Sequence, residues 1–467
     1  MEERESSLNP FLQGNFAPWR MEGDAPDLEV VGELPHELCG TYFRSGPNPA
    51  FEPIGRYHWF DGDGMVHAIR IAGGRAHYRN RWVASDGLKE EREAGRALYP
   101  GLLEFGRMEI PRFKITGNTN NVLHAGKLLA LVESSLPTEM DPRTLETKGV
   151  YDFGGKLAGP MTAHPKLDPV NGEMPFFGYS PFPPYLQYYV ADRSGAIVHA
   201  EPIDIPWPTM MHDFAVTERH VVFLVCPIVF DLANVASGGS VFSWQPERGT
   251  RIGVMPRRGT SSDVRWFETD PCYVFHPLNA YDDGDAVVVD VHRYQQLLFM
   301  SPEAARDPNW RDSQVARLHR FTMNLATGAL REGALDDHEG EFPRVDERRV
   351  GRKHRFGYFA TTGPEGNPTL QPLFTAVAKI DLERGSRVEL RPHGAGNGCG
   401  EPVFVPRHDA ADEDDGWVLY LAYDAARNAS ELVVAASRDF TGEPVARVLL
   451  PHRVPYGFHG NWFANVG

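Results

Sequence analysis

Short alternating strands separated by tight turns recur along the whole length of this chain. VHAIRIAGGRAHYRNRWV turns at Gly73 and Gly74, NVLHAGKLLALVES turns at Gly126, and YYVADRSGAIVHAEPI turns at Ser194 and Gly195. Alternation of apolar and polar residues on both sides of such a turn is typical of a β-hairpin. The pattern continues to LYLAYDAARNASELVVAAS near the end of the chain, so the fold is predicted to be all-β.

The hairpins follow one another without a Pro- or Ser-rich linker, so residues 1–467 are predicted to form one domain, a single β-propeller. The first segment, residues 1–25, is expected to be a peripheral N-terminal arm. Helical periodicity is scarce, and short helices are predicted only near 89–98 and 302–306. In a propeller the innermost strand of each blade lines a central axis, so residues that are distant in sequence can meet there.

The charge balance limits the classes of partner. The chain carries 47 Lys and Arg against 63 Asp and Glu, a net charge of -16, which argues against nucleic-acid binding. A neutral or apolar partner is expected instead. No apolar run reaches the roughly 18 residues of a membrane span, the N-terminus does not resemble a signal peptide, and the four cysteines have no metal-binding spacing, so a cytoplasmic location is expected.

Four of the 18 histidines share a setting, each flanked by apolar or small residues at the edge of a predicted inner strand. They are His164 in MTAHPKLDP, His212 in PTMMHDFAVT, His276 in YVFHPLNAY and His459 in YGFHGNW. Spacings of 48, 64 and 183 residues do not suit a local zinc motif, but they suit ligands that separate blades deliver to one axis. Imidazole ligands alone do not identify the metal. Four neutral histidines around an octahedral ion leave two positions free, which favours redox-active Fe(II).

Three glutamates stand in apolar segments where a solvated carboxylate is unexpected. They are Glu133 in LLALVESSLP, Glu341 in EGEFPRVDERRVG and Glu401 in GCGEPVFVPR. Carboxylates that accept the second ring N–H of ligating histidines fix the tautomer and offset the charge of the metal. A salt bridge to a neighbouring Arg, or a position at a strand end, would explain any one of these glutamates by itself. Three of them beside four such histidines favour a metal centre.

The sequence also resembles the carotenoid cleavage oxygenases from about residue 28 to its end. The resemblance rests on GTYFRSGPNPAF, HWFDGDGMVHAIRI, GNTNNVLHAGKLLALVESSLPTEMDPRTLET, TAHPKLDPVNGE, MHDFAVTE, FHPLNAY, EFPRVDERRVGRKHRFGY, EPVFVPR and GFHGNW, in that order. It implies a seven-bladed propeller with a few short helices and loops as a cap over an axial iron site. It also implies a non-haem Fe(II) dioxygenase that uses O₂ as co-substrate to split an alkene C=C bond into two carbonyl products.

The resemblance assigns roles to single residues. It implies that the four histidines bind iron, and that Glu133, Glu341 and Glu401 support His212, His276 and His459 respectively, which leaves His164 without an acidic partner. Thr119 in GNTNN resembles the small side chain that lies over one open iron position. Phe60 in HWFDGDG resembles an aromatic residue of the substrate tunnel, although ordinary core packing explains it equally well.

One position departs from part of the family. Stilbene- and phenylpropene-cleaving members typically have a lysine directly before the first supporting glutamate, where this chain has Val132, and Tyr99 does not align cleanly with their phenol-binding tyrosine. Without that positive charge a phenolate is not stabilised, so an apolar carotenoid or apocarotenoid polyene is the expected substrate. A weak peripheral contact with a membrane is compatible with such a substrate, and residues 223–236 are the candidate segment, with a buried hairpin as the alternative.

Three alternatives stay open at this stage. The chain could cleave a stilbenoid or phenylpropene of the isoeugenol or 4-vinylguaiacol type despite Val132. It could be a non-oxidative enzyme in which iron acts as a Lewis acid, since the same family includes an ester-cleaving isomerase. It could also be a propeller without iron that serves as a binding module. Scissile bond and oligomeric state are not encoded in any recognisable motif.

Overall fold

The computed structural model describes residues 9–107, 113–133, 135–237, 239–297, 315–364, 374–408, 410 and 412–466. Antiparallel strands dominate these ranges and form sheets whose order follows the sequence. The predicted all-β class is confirmed. The predicted helix near 302–306 lies outside the described residues.

The strands group into seven blades around one axis. Blade one contains β1 (Gly23–Ala25), β3 (Gly40–Pro47), β4 (Gly64–Ala72), β5 (Arg75–Trp82) and β31 (Gly460–Ala464). Blade two contains β6 (Asn120–His124), β7 (Lys127–Leu131), β8 (Thr138–Met140) and β9 (Thr147–Val150). Blade three contains β10 (Met174–Tyr179), β11 (Leu186–Ala191) and β12 (Ile197–Ile203). Blade four contains β13 (Ala215–Val216), β14 (His220–Val225), β17 (Thr250–Pro256) and β18 (Arg265–Thr269).

Of the remaining three blades, two share one long strand, β22 (Leu330–Arg344). Blades five and six consist of β19 (Tyr273–Asp283), β20 (Ala286–Tyr294), β21 (Ala316–Asn324), β22 (Leu330–Arg344), β23 (Phe356–Thr361), β24 (Ala376–Asp381) and β25 (Arg387–Pro392). Blade seven contains β2 (Val30–Gly32), β26 (Gly398–Cys399), β27 (Val403–Pro406), β28 (Gly416–Asp424), β29 (Ala429–Ala436) and β30 (Ala446–Leu449). The first part of β22 pairs with β21 and its end pairs with β23. The seven-bladed propeller implied by the sequence resemblance is confirmed.

Both ends of the chain take part in closing the ring. Near the N-terminus, β2 pairs with β30 in blade seven, whereas β31 at the C-terminus pairs with β3 in blade one. The first and last blades are therefore each completed by a strand from the opposite end of the chain. Within residues 9–25, Phe16 is buried and β1 is an edge strand of blade one. The division into a domain and an arm remains a prediction.

Elements outside the blades are short. The helix Asp86–Ala94 begins after Ser85, whose hydroxyl accepts from Leu88 N, and ends at Gly95 in the left-handed conformation with φ 68°. The predicted helix at 89–98 therefore exists but starts and ends earlier. A second helix, Leu232–Ala236, lies in the connection between β15 (Ile228–Phe230) and β16 (Phe242–Trp244), which pair with each other. Single-turn 3₁₀ helices cover Pro10–Leu12, Gly14–Phe16, Trp59–Asp61, Pro246–Arg248, Ser261–Asp263 and Glu347–Arg349, and Leu102–Arg107 forms a longer one.

The hydrophobic core lies within and between the blades. Its largest group of buried side chains fills blades three to five and includes Phe214, Phe223 and Phe321. Since Phe223, Leu224 and Val225 are almost fully buried, the first part of the candidate membrane segment 223–236 belongs to this core, and the alternative of a buried hairpin applies there. Farther along that segment, Leu232 is 45% exposed. No helix within the described ranges is long and apolar enough to span a bilayer.

Candidate metal centre

The four histidines that the sequence singled out converge at the axis. One ring nitrogen from each of His164, His212, His276 and His459 lies within 4.8 Å of those of the other three. The Nε2 atoms of His164 and His212 are 3.0 Å apart, and the ring centroids of His164 and His459 are 4.4 Å apart. The cluster is largely excluded from solvent, since the most exposed of the four side chains, that of His212, is 11% exposed.

Strands position two of these side chains, one through a local irregularity. His276 lies in β19 within the register shift from Val274 to Pro277, where the pairing with β20 is interrupted, and a second shift follows from Pro277 to Asn279. Such bulges re-aim a side chain relative to a regular strand. His459 directly precedes β31, and its backbone N–H donates to Thr119 O at 3.2 Å. His164 and His212 instead lie in segments without regular secondary structure.

Each of the three glutamates accepts from one histidine. The Nδ1 atoms of His212 and His276 lie 2.5 Å from Glu133 Oε2 and Glu341 Oε2, respectively. His459 Nδ1 lies 3.0 Å from Glu401 Oε1. These pairings are the ones that the sequence resemblance implies. Because Nδ1 is engaged by a carboxylate, Nε2 is the nitrogen that remains for the centre.

The electrostatics of the site favour neutral imidazoles at His164 and His459 and ionised carboxylates at Glu341 and Glu401. Burial lowers the pKa of His459 to about 4, and burial together with the neighbouring histidines lowers the pKa of His164 well below its usual value. Burial would raise the pKa of Glu401, but His459 and Arg344 outweigh it and hold that pKa at about 2. Burial likewise opposes ionisation of Glu341, and His276 outweighs it to lower the pKa of that carboxyl. Imidazoles that are neutral at neutral pH can act as metal ligands.

His212 differs from His164 and His459 in the direction of its pKa shift. Burial lowers its pKa, but the adjacent Glu133 outweighs burial and leaves the pKa of His212 above its ordinary value. Glu133 has a second partner that sequence reasoning missed, since Tyr179 donates its hydroxyl to Glu133 Oε1 at 2.8 Å. The carboxylate is thereby oriented from both sides. Tyr179 sits at the end of β10 and carries no motif that could have revealed it.

Arg344 is another functional residue that the sequence analysis did not identify. Its guanidinium lies 3.3 Å from Glu401 Oε2 and donates to the backbone oxygen of Gly460 at 2.8 Å. Gly460 N in turn donates to Glu401 Oε2 at 2.6 Å. These contacts fix the start of β31 next to His459. The position of Arg344 three residues after Glu341, within EFPRVDERRVG, was the available signal.

The motif GNTNN connects the centre to its surroundings. Thr119 is 8% exposed, and its carbonyl accepts from His459 N, so the predicted oxygen-site residue lies beside a cluster histidine. Asn118 donates to Phe60 O at 2.9 Å and accepts from the Thr119 hydroxyl at 3.0 Å. Asn120 donates to Ala163 O at 2.8 Å, next to His164. The asparagines of this motif therefore hold segments that carry site residues.

Aromatic side chains cover one flank of the histidines. The ring of Phe342 lies 5.5 Å from that of His276 and 5.2 Å from that of His459. Phe342 adopts a positive φ of 55° within an irregular part of β22, which re-aims it relative to a regular strand. Phe60 is half-buried and belongs to the same apolar group, with Phe458 at 5.5 Å. Val132 is half-buried and directly precedes Glu133.

A cavity of about 340 Å³ opens onto His164, His276 and His459. Its other walls are mixed in character, with Lys166, Asp213, Asn279, Arg344, Asn461 and several apolar side chains. The surroundings of the histidines therefore include both this mixed cavity and the apolar group around Phe342.

The arrangement of the nitrogens fits a metal ion. With Nδ1 of His212 bound to Glu133, its Nε2 presents a lone pair, and it faces His164 Nε2 at 3.0 Å. His276 Nε2 is buried and has no hydrogen-bond partner among the described residues. Imidazole binds zinc at about 2.0–2.1 Å, so neighbouring ligand nitrogens around a similar divalent ion lie about 3 Å apart. A cation between the rings would satisfy the buried nitrogens.

Fold and site together define a class, a β-propeller oxygenase whose four-histidine cluster is typical of a non-haem Fe(II) centre. The profile of the family described as "Retinal pigment epithelial membrane protein" matches residues 16–464, and the chain belongs to this family, the carotenoid cleavage oxygenases.

Sequence relatives cover nearly the entire chain. Resveratrol cleavage oxygenase 1 of Aspergillus fumigatus is 39% identical, covering 97% of this chain and 95% of the relative. A carotenoid 9,10(9',10')-cleavage dioxygenase of Crocus sativus is 37% identical, covering 97% of this chain and 89% of the relative. An isoeugenol monooxygenase of Pseudomonas nitroreducens is 33% identical, covering 97% and 98%. Relatives with polyene and phenolic substrates are thus similarly close.

Solved structures give the same result. The crystal structure of Pseudomonas brassicacearum lignostilbene dioxygenase aligns with a TM-score of 0.92 at 35% identity, covering 98% of this chain and 99% of that one. A variant of the Synechocystis apocarotenoid oxygenase aligns with a TM-score of 0.87 at 29% identity, covering 96% and 97%. The chain is therefore an oxidoreductase that cleaves C=C double bonds by oxygenation.

Proposed function

We propose that this enzyme cleaves a carotenoid or apocarotenoid polyene, with Fe(II) held by His164, His212, His276 and His459. The supporting observation for the ligand set is the convergence of four buried ring nitrogens within 4.8 Å. Glu133, Glu341 and Glu401 keep the proton on Nδ1 of their histidines and offset part of the charge of the metal. Iron, when bound, supplies the binding and activation of O₂.

The reaction adds both atoms of O₂ to one alkene. The C=C bond breaks, one oxygen atom goes to each carbon, and two aldehydes or ketones leave without an external reductant. Thr119, adjacent to His459, restricts access to one side of the centre in this proposal. The apolar group around Phe60 and Phe342 orients the alkene and excludes water, which protects the reacting centre.

The substrate proposal depends on whether a positively charged side chain can stabilise a phenolate next to Glu133. The resemblance places a phenol-stabilising lysine at position 132, and this chain has valine there. Lys114 forms ion pairs with Asp63 at 2.8 Å and with Glu91 at 2.7 Å, so it does not replace the positive charge of the missing lysine. Burial and Glu133 raise the pKa of Tyr179 well above its ordinary value, so this phenol stays neutral. An uncharged polyene requires none of these charges.

A stilbenoid or phenylpropene is the second candidate substrate. The 39% identity with a resveratrol cleavage oxygenase and the TM-score of 0.92 with lignostilbene dioxygenase favour it. The hydroxyl of Tyr99, the residue near the phenol-binding position, donates to Glu90 Oε2 at 2.6 Å in this structure. That hydrogen bond would have to change before Tyr99 could bind a phenol in the same way.

Parallel assays separate the two candidates. The reconstituted wild-type enzyme is given an apocarotenal, resveratrol or isoeugenol, and products are quantified by mass spectrometry. We expect the highest kcat/KM with the apocarotenal. Val132→Lys is expected to raise the phenol-to-polyene ratio of kcat/KM, whereas Val150→Lys, at a position that is 49% exposed on β9, controls for an added lysine. Faster turnover of resveratrol by the wild type would overturn the polyene proposal.

Weak peripheral contact with a membrane belongs to the same proposal, because a polyene substrate dissolves in lipid. Phe182 and Leu232 are 62% and 45% exposed and offer apolar contact. Co-sedimentation with phosphatidylcholine vesicles tests this point. We expect measurable binding that decreases in Phe182→Ser, and equal recovery of protein in the supernatant with and without vesicles would contradict it. The cytoplasmic location remains a prediction, with which the four free cysteines agree.

A further inference from the structure

The four histidines are supported unequally by the backbone. His276 lies within β19 between the paired residues Val274 and Pro277, and His459 adjoins the paired residue Gly460 of β31, so neighbouring strand pairs hold both. His164 and His212 lie in irregular segments that lack such a ladder. Part of the support comes from Thr162, whose hydroxyl accepts from His164 N at 3.0 Å and donates to His212 O at 3.2 Å. These two segments need further contacts to hold their rings in place.

An ion pair joins the same two segments. Lys166, two residues after His164, contacts both carboxylate oxygens of Asp213 at 2.7 Å and 2.9 Å. Asp213 directly follows His212, and its Oδ1 also accepts from Phe214 N at 2.6 Å. The Asp213 side chain is 3% exposed and that of Lys166 is 21% exposed. A carboxylate this deeply buried is stable only when it is paired.

The same carboxylate faces His164. Asp213 Oδ2 lies 3.8 Å from His164 Nδ1, which is beyond hydrogen-bond distance. A water molecule bonded to both atoms would need about 4.5 to 5.5 Å between them, so the two groups interact directly through their charge distributions. The other three Nδ1 atoms each have a glutamate partner. With Asp213, every histidine of the cluster has a carboxylate on its Nδ1 side.

We propose that Asp213, held by Lys166, is the positioning carboxylate of His164. It favours the tautomer with the proton on Nδ1, so that Nε2 presents its lone pair to the metal, and the ion pair ties the His164 segment to the His212 segment. Lys166 neutralises the carboxylate, so the centre gains an oriented partner without a further net negative charge. The inference rests on the proposed ligand role of His164.

Cobalt binding to the apoprotein tests this inference without reference to turnover. Iron is removed anaerobically, Co(II) is titrated in, and the dissociation constant and visible absorption spectrum are recorded for each variant. Loss of an outer partner of a ligating histidine typically weakens metal affinity about 10- to 100-fold. Asp213 does not hydrogen-bond to His164, so we expect the effect of Asp213→Asn to lie near the lower end of this range. Co(II) affinity should fall about 10-fold, and the absorption bands should shift.

Two further variants make the test specific. Asp213→Asn with Lys166→Gln removes both charges, so no buried charge lacks a partner, and this double variant is expected to fold and to retain the weakened Co(II) affinity. Asp282→Asn is the matched control, because Asp282 contacts His220 Nδ1 at 2.6 Å outside the cluster. We expect that control to bind Co(II) as the wild type does.

A purely structural ion pair predicts a different result. If the double variant shows a lower melting temperature but the affinity and spectrum of the wild type, the positioning role of Asp213 is overturned. His164→Ala separates this failure from that of the ligand assignment. Loss of Co(II) affinity in His164→Ala with none in the Asp213 variants refutes only the inference, whereas wild-type binding by His164→Ala refutes both.

Discussion

His459 adjoins the strand that closes the ring of blades, and it is also a proposed metal ligand. It directly precedes β31, the strand that pairs with β3, and the residue is 4% exposed. Replacing His459 by Ala removes one proposed ligand but none of the β31 pairing, so we expect loss of iron with the propeller retained. Iron content by mass spectrometry and circular dichroism measure the two effects. His338→Ala, at a side chain that is 42% exposed, serves as the control, and full iron occupancy in His459→Ala would refute the ligand role.

Glu401 should have a milder effect than the histidine that it supports. Glu401→Gln keeps the shape of the side chain but loses the charge that faces His459 and Arg344. We expect Fe(II) affinity to fall by about 10-fold or more, by analogy with other outer partners of metal-binding histidines. Glu347→Gln, which removes another carboxylate beside Arg344, is the matched control. An unchanged dissociation constant for Fe(II) in Glu401→Gln would remove this residue from the metal centre.

The sequence identified site residues where a single position combined a titratable side chain with apolar neighbours. The histidines and glutamates stood out because charged or titratable groups are unusual in apolar segments. Asp213 did not stand out, since an aspartate beside a histidine and at the start of an apolar segment looks like an ordinary strand end. Tyr179 was equally invisible, because only the packing of β10 against the glutamate at position 133 gives it a role.

At the scale of elements, the 3₁₀ helix Trp59–Asp61 connects the centre to the helix Asp86–Ala94 and the loop after it. Asp61 accepts from His58 N and Leu102 N, both at 2.9 Å. Phe60 lies in the turn between His58 and Asp61. Nearby, Lys114 joins Asp63 to Glu91 of the helix. These contacts position the Phe60 side chain relative to Phe458.

Asp61 gives this element an unusual pH dependence. Burial raises the pKa of Asp61 to about 6 from 3.8, so between these values the unfolded chain ionises while the folded protein keeps the proton. The contribution of Asp61 to the free energy of unfolding is therefore greatest below about pH 4. It falls by roughly 3 kcal/mol as the pH rises to about 6. Asp61→Asn should flatten this part of the curve in urea unfolding. The same slope in wild type and variant would contradict the assignment.

Element boundaries were less predictable than element types. The hairpins at Gly73, Gly126 and Gly195 follow directly from alternation and turn residues, and all three glycines have positive φ. The bulges around His276 and Phe342 could not be predicted, because they arise from pairing with strands far along the chain. Those bulges determine where the site residues point.

At the scale of the whole molecule, metal binding and stability should be coupled. The proposed ligands come from blades or segments that are up to 295 residues apart in sequence, from His164 to His459. A ligand that binds only the folded state stabilises it by about 2.7 kcal/mol when its concentration is 100 times the dissociation constant. We expect chelation to lower the melting temperature by a few degrees and Fe(II) to restore it. A melting temperature of His459→Ala that still responds to Fe(II) would contradict the coupling.

The all-β class followed from the hairpin pattern, whereas the number of blades did not. Seven blades came from the family resemblance, since the shared strand β22 and the exchange of β2 and β31 between chain ends obscure any simple repeat. Substrate choice was the least predictable property. It depends on side chains that line a tunnel, and relatives with polyene and phenolic substrates share this fold at similar identity.

The central claim is that four distant imidazoles bind one ferrous ion. Protein purified without an affinity tag and reconstituted anaerobically with Fe(II) should contain one iron atom per chain, and its X-ray absorption spectrum should fit four imidazole nitrogens. A preparation that retains no iron after reconstitution, or a bound iron whose spectrum lacks those four nitrogens, would contradict the account.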